Sequence, residues 1–166
     1  MQGRERERGL GHLDFSLNDA AATRALGARL AAACPPDSVI LLRGPLGAGK
    51  TTLVEGFLGA LGAGRAASPT FVIAHAHRAG GMPIWHLDLY RLEDPRDIED
   101  LDLVQYLPPG GITLVEWPER APHAWPPDRI EIDLSIDGVA RSARVQGLGK
   151  AADVVRALET DEVPRS

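Results

Sequence analysis

Cysteine is almost missing from this chain: Cys34 is the single thiol among 166 residues, which excludes an internal disulfide framework and fits a reducing compartment. Long apolar runs are missing too. None approaches the roughly 18 residues of a membrane-spanning helix. The opening Met1 to Arg8 is polar with no apolar stretch behind it, unlike a secretory leader. A cytoplasmic protein with no membrane role is the expectation. Basic charge is not in surplus, since 18 Lys and Arg stand against 23 Asp and Glu for a formal net charge of −5. Broad electrostatic capture of a nucleic-acid backbone needs the opposite balance, so any service to nucleic acid should run through another protein.

What is present has globular proportions, at 44% hydrophobic and 25% charged residues, with the length of one ordinary domain. The expected organisation is a flexible tail over residues 1–11, one domain over residues 12–160 and a short tail over residues 161–166. Phe15 to Cys34 reads as a helix, with Asn18 as N-cap and Ala22, Leu26 and Leu30 spaced by four; Pro35-Pro36 ends it. Ser38 to Leu42 is a short apolar strand. A Gly-rich turn follows, then a helix with Leu53, Val54, Phe57, Leu58 and Leu61 on one face.

Phe71–His77 and Pro83–Leu89 read as strands joined by Arg78-Ala79-Gly80-Gly81. Asp94 to Leu107 reads as a helix capped by Asp94, with Ile98, Leu101 and Val104 on its inner face. Ile112–Glu116 is another apolar strand. Pro118 to Pro127 is a proline-rich loop. Ile130, Ile132, Leu134 and Ile136 alternate, Asp137-Gly138 turns, Ala140–Gln146 pairs back, and Lys150–Glu159 is a last helix. The fold class is α/β: a P-loop NTPase-like, mainly parallel sheet with antiparallel edge hairpins, flanked by helices.

Chemistry concentrates at Gly44-Pro45-Leu46-Gly47-Ala48-Gly49-Lys50-Thr51, which fits G-x-x-x-x-G-K-[ST] at every fixed position. A random chain of this length would match at a rate on the order of 1%. The strand before the segment and the helix after it make chance a poor explanation. Glycines at 44, 47 and 49 admit positive φ and let backbone N–H groups crowd around phosphate oxygens. The helix starting near Lys50 points its positive end at the same place. Lys50 reaches the β- and γ-phosphates, and the Thr51 hydroxyl ligates Mg²⁺. A second carboxylate is needed on the metal side, and Glu116 at the end of the strand Ile112–Glu116 supplies it unless it is simply solvated.

His86-Leu87-Asp88-Leu89-Tyr90-Arg91 is the other concentration of function. In a strand, His86, Asp88 and Tyr90 share one face while Leu87 and Leu89 enter the core. Asp88 can hold a magnesium-bound water or orient the attacking water, and Arg91 can neutralise phosphate or bind a partner. A polar strand face with a structural ion pair is the alternative. Ser68-Pro69-Thr70 sits where a loop can sense the γ-phosphate through Thr70, or is a plain turn. His75, His77 and His86 are strand histidines with no cysteine or converging acid, a pattern of surface residues more than of metal ligands. Trp85 and Trp125 read as packing residues, while Trp117 either flanks the nucleotide pocket or packs. Arg141 and Arg144 alternate on the last hairpin and read as solvated strand arginines, with a phosphate contact as the alternative.

The helix Ala20–Cys34, the segment Gly44 to Thr52, Ser68-Pro-Thr-Phe71, His86-Leu-Asp-Leu-Tyr-Arg91 and Val115-Glu-Trp-Pro118 occur in the order of the TsaE (YjeE) family. The chain resembles these small bacterial P-loop ATPases of tRNA threonylcarbamoyladenosine synthesis over roughly residues 12 to 158. The P-loop is shared by many ATPases; its combination with S-P-T, H-x-D-x-Y-R and E-W is specific. The resemblance implies binding of ATP or ADP with Mg²⁺, weak intrinsic hydrolysis, and docking on a pair of TsaB- and TsaD-like proteins. The TsaD-like partner transfers threonylcarbamoyl to N6 of adenosine 37, so tRNA is met only indirectly. It also implies nucleotide contacts from Gly44, Leu46, Gly47, Ala48, Gly49, Lys50, Thr51, Thr52 and Thr70, with Thr70 as a switch. Thr51 and Glu116 carry over as metal ligands, and Asp88, Lys50 and Glu116 as catalytic residues. Pro45 departs from the Asp found in many members. A small-molecule kinase is disfavoured by the missing Arg-rich lid, and a GTPase by the missing Asn-Lys-x-Asp signature. A nucleotide-gated assembly module without significant turnover stays open.

Overall fold

Alternation builds the first element. In strand β1 (His12–Leu17), Leu13, Phe15 and Leu17 turn toward the core while His12, Asp14 and Ser16 face solvent. The computed structural model describes residues 11–66 and 73–160. It corrects the helical reading of Phe15–Leu17: β1 pairs antiparallel with the distant Arg141–Gln146 segment. Helix α1 spans Ala20–Ala33 and is capped by Asp19 rather than Asn18, the Asp19 carboxylate accepting Ala22 N–H at 2.7 Å. Cys34 closes the helix half-buried, its thiol pushed up to about 12 by burial.

The remaining elements are β2 (Val39–Arg43), α2 (Lys50–Ala60), β3 (Ala74–Ala79), β4 (Met82–Asp88), α3 (Pro95–Glu99), β5 (Ile112–Glu116), β6 (Arg129–Asp137), β7 (Ala140–Leu148) and α4 (Ala152–Thr160). The strands form one sheet in the order β1-β7-β6-β2-β5-β4-β3. β6, β2, β5 and β4 run parallel, and antiparallel pairs close both edges. Helices α1, α2 and α4 cover one face over Ile40, Leu42, Leu114 and Ile132, with Phe57 of α2 in the same core. On the other face Val39, Leu41, Leu87 and Val115 are sealed by Leu89, Leu92 and Leu103. Burial on both faces explains why β2 and β5 read as unbroken apolar runs instead of alternating ones.

Two glycines let α1 and α2 approach closely. A Cβ on Gly27 would lie 2.1 Å from the Leu53 carbonyl oxygen, and one on Gly56 would lie 2.1 Å from that of Arg24. This contact fixes α2, and with it the start of the Gly-rich turn.

The helix expected over Asp94–Leu107 is broken. Asp94 does cap α3, accepting Arg96 N–H at 2.9 Å, but α3 stops at Glu99, and a 3₁₀ turn follows at Leu103–Tyr106. Glu99, Asp100 and Asp102 crowd negative charge at the helix C-terminus, where the macrodipole opposes it. Val104, expected on the inner face, is 75% exposed, and Leu103 turns in instead. The edge hairpins are also tighter than expected. Ala79 pairs with Met82 around Gly80-Gly81, and Asp137 pairs with Ala140 around Gly138-Val139. Phe71, Val72 and the Ser68-Pro69-Thr70 loop lie outside the described residues. Among the described residues, no helix is long and apolar enough to cross a membrane.

Candidate functional site

β2 delivers the chain into the Gly-rich turn at the carboxyl edge of the parallel strands. Gly44, Gly47 and Gly49 take φ of 141°, 79° and 104°, values that side-chain-bearing residues rarely adopt. At Gly44 a Cβ would also lie 2.5 Å from the Leu134 carbonyl oxygen, so the turn is pressed against β6. Gly49 is the N-cap of α2 and offers no side chain to its amides. Those N–H groups are left for an anion, reinforced by the helix dipole. Ala48 is fully buried beneath the turn, and its N–H bonds the Pro45 carbonyl at 3.1 Å.

Lys50, the first residue of α2, is only 5% exposed. Its Nζ donates to the carbonyls of Gly44 at 2.5 Å and Pro45 at 3.1 Å, and lies 4.1 Å from the centre of the Trp117 ring. Burial pulls its pKa down, while Glu116 pulls against that. Trp117 follows β5 in the left-handed region, φ 59° and ψ 47°, a costly conformation for this residue that aims the indole at Lys50. Tyr90 packs against the same ring at a tilt of 44°, centroids 4.9 Å apart.

Thr51, one residue along α2, meets the end of β5. Its hydroxyl donates to Glu116 Oε1 at 2.9 Å, with Oε2 at 3.1 Å. Glu116 is 3% exposed, so the alternative of a solvated strand end is removed. Asp88 stands opposite Glu116 in the β4–β5 register. It is half-buried and accepts Tyr90 N–H at 3.1 Å. Burial pushes its carboxyl above the ordinary aspartate range, and the Glu116 charge adds to the effect.

These side chains line a cleft of about 550 Å³ that takes in Leu46, Gly47, Gly49, Lys50, Thr51, Thr52, Asp88 and Glu116. That volume suits a nucleotide-sized ligand. Gly44 and Ala48 support the turn from below; Thr70 lies outside the described residues.

His86 corrects the reading of the strand histidines as surface residues. It is 2% exposed and places Nε2 2.8 Å from Glu116 Oε1. The available signal was its spacing, two residues before Asp88 and on the same face. Arg141, read as solvated, reaches across from β7 to donate to the Gly47 carbonyl at 3.0 Å. Arg144 pairs with Asp14 in the open, as a solvated strand arginine does. Trp85 packs edge-on against Tyr106, and Trp125 donates to the Pro118 carbonyl at 3.0 Å.

A family model described as threonylcarbamoyl adenosine biosynthesis protein TsaE matches residues 17–144. The tRNA threonylcarbamoyladenosine biosynthesis protein TsaE of Synechocystis sp. is 49% identical over 115 residues, covering 66% of this chain and 73% of that protein. The Bacillus subtilis protein of the same name is 41% identical over 117 residues, covering 70% of this chain and 73% of that one. A crystal structure of Bacillus subtilis YdiB superposes with a TM-score of 0.77 at 27% identity, over 92% of this chain and 97% of that one. A P-loop on a largely parallel sheet, the H-x-D-x-Y-R strand beside it and a model spanning most of the chain agree: the protein belongs to the TsaE family of P-loop nucleotide-binding proteins.

Proposed function

We propose that this protein binds ATP with Mg²⁺ in the cleft and hydrolyses it slowly in the service of tRNA threonylcarbamoyladenosine synthesis. It does so docked on a pair of TsaB- and TsaD-like proteins in the cytoplasm. The observation that carries the reading is the junction of Thr51 and Glu116, a hydroxyl and a buried carboxylate joined at 2.9 Å beside an uncapped helix start. Both are hard oxygen donors of the kind Mg²⁺ accepts. Among the described residues no group of three or more His, Cys, Asp or Glu converges on one point. The rest of the metal's shell therefore falls to phosphate and water, the usual arrangement for magnesium at a nucleotide.

On this reading the amides of Gly47, Gly49, Lys50, Thr51 and Thr52 hold the phosphates, with Gly44, Leu46 and Ala48 shaping the turn. Lys50 leaves the carbonyls of Gly44 and Pro45 for the β- and γ-phosphates. The metal, held by Thr51 and Glu116, would neutralise charge on the phosphate oxygens. Asp88, its pKa raised by burial, orients the attacking water or takes its proton. Thr70 reports the γ-phosphate to the partner surface. tRNA needs no direct grip here, which suits the net charge of −5.

The deciding experiment measures ATP turnover of the protein alone, with the partner pair, and with candidate metabolites, and follows threonylcarbamoyladenosine formation on tRNA. Slow turnover alone, raised by the pair and needed for repeated modification, is expected. Phosphorylation of a metabolite without partners would make it a kinase. Partner-dependent modification with no phosphate release would leave a nucleotide-gated assembly module.

A further inference from the structure

A buried histidine outside the nucleotide-contacting set holds the carboxylate on which the metal reading depends. His86 lies two residues before Asp88 on β4, opposite Leu114, and so sits diagonally behind Glu116 on β5. The ring is 2% exposed and Glu116 is 3% exposed, so neither is swung about by solvent. Glu116 Oε1 is contacted twice: by His86 Nε2 at 2.8 Å and by the Thr51 hydroxyl at 2.9 Å. A carboxylate only accepts, so Nε2 carries the hydrogen. The other ring nitrogen, Nδ1, is buried with no hydrogen-bond partner among the described residues. Its ring neighbour is His75, the residue paired with it across β3 and β4, with centroids 6.2 Å apart. Most buried side-chain polar atoms are hydrogen-bonded, so what fixes this ring is the bond from Nε2. Among the described residues the ring's one hydrogen bond is to Glu116.

We propose that His86 is a positioning residue: its Nε2–H fixes one oxygen of Glu116 and thereby aims the carboxylate at Thr51 and the metal position. The proposal rests on the nucleotide–magnesium reading above. Groups that orient a metal-binding carboxylate typically change metal affinity by about 10- to 100-fold when removed. His86→Leu keeps the volume and loses the donor. His86→Gln returns an N–H near the place of Nε2, and His86→Asn carries an amide too short to reach Oε1.

The test is calorimetric binding of a non-hydrolysable ATP analogue with and without Mg²⁺, together with the Mg²⁺ concentration for half-maximal turnover. In His86→Leu and His86→Asn, the affinity gained on adding Mg²⁺ should fall by about tenfold. Metal-free affinity should stay within about twofold, and His86→Gln should recover most of the loss. Should the leucine variant fail to fold, the two amide variants carry the test, because only the longer one can reach Glu116. Equal magnesium responses in wild type, His86→Gln and His86→Asn, against a normal response in the wild type, would overturn the role of His86 alone. A wild-type protein that gains no affinity from Mg²⁺ would overturn the metal reading and this inference with it.

Discussion

Asp88 and Glu131 are both partly buried carboxylates on strands of one sheet, and their surroundings are opposite. Glu131, on β6, accepts from Arg43 at 2.8 and 3.3 Å and from Arg129 at 2.8 Å. The Arg43 guanidinium holds its carboxyl below the usual glutamate range, against the desolvation that would raise it. Asp88, at the end of β4, accepts a backbone N–H from Tyr90, forms no ion pair among the described residues, and is pushed up by burial. One carboxylate is matched to its site and stabilises the fold. The other sits in the cleft beside Glu116 and Lys50, where a charge is costly to keep. An upward shift inside a cleft is what makes Asp88, and not Glu131, a candidate for chemistry.

The widest separation between the two should come from replacing each carboxylate by its amide. Asp88→Asn should lower kcat on the order of 10²-fold while weakening ATP binding far less, because a positioned acid or base acts mainly in the transition state. The same variant should melt higher at neutral pH. A raised folded-state pKa means that ionisation of Asp88 costs stability above its folded pKa. That cost disappears as pH falls below the ordinary value of 3.8, where the group is protonated folded or unfolded. Turnover and melting on one preparation decide the matter. Normal turnover with a lower melting temperature would make Asp88 structural, and the contrast with Glu131 would collapse.

Lys50→Ala comes next in size. It removes the one buried ammonium of the cleft, so ATP affinity or turnover should fall by about tenfold or more, roughly 1.4 kcal/mol per decade. Unchanged binding would end the phosphate-cradle reading of the turn. Glu116→Ala should spare metal-free ADP binding and cut magnesium-dependent hydrolysis. Wild-type turnover at limiting magnesium would instead make Glu116 a buried partner of His86 and Thr51 and nothing more.

How much of this was legible in the sequence follows the range of the interactions. The turn at Gly44–Thr51 is local: its glycines, its lysine and its flanking apolar runs stand next to one another, and the structure folds them as read. β1 was lost because its partner lies far along the chain at Arg141–Gln146, and the i, i+4 spacing of the following helix spilled backward over Phe15. The break in Asp94–Leu107 depends on acidic crowding that a hydrophobic pattern does not register. His86 was misjudged for a different reason. Alternation sorts side chains onto two faces, but β4 lies inside a sheet covered on both, so the face opposite the leucines is also closed. No local pattern tells a strand which neighbour will bring a carboxylate to its histidine.

The smallest expected effect belongs to Glu131, and it has the opposite sign to that of Asp88. Glu131→Gln leaves Arg43 and Arg129 facing an amide that cannot accept from both as a carboxylate does. With the Arg43 side chain 33% exposed, solvent screens the pair, so the loss should be about 1 kcal/mol at pH 7. Because the folded-state pKa is lowered, the ion pair stabilises above the ordinary value of 4.5, and that stabilisation is lost as pH falls through the folded value. Denaturant unfolding of wild type and Glu131→Gln should therefore differ most near neutrality and converge in acid, while ATP turnover per folded molecule stays the same. The Asp88→Asn curve should lie above wild type at neutral pH and converge with it from that side. An Asp88→Asn curve that fell below wild type together with that of Glu131→Gln would show that burial and pairing do not separate these carboxylates, and that the stability cost at Asp88 is not real.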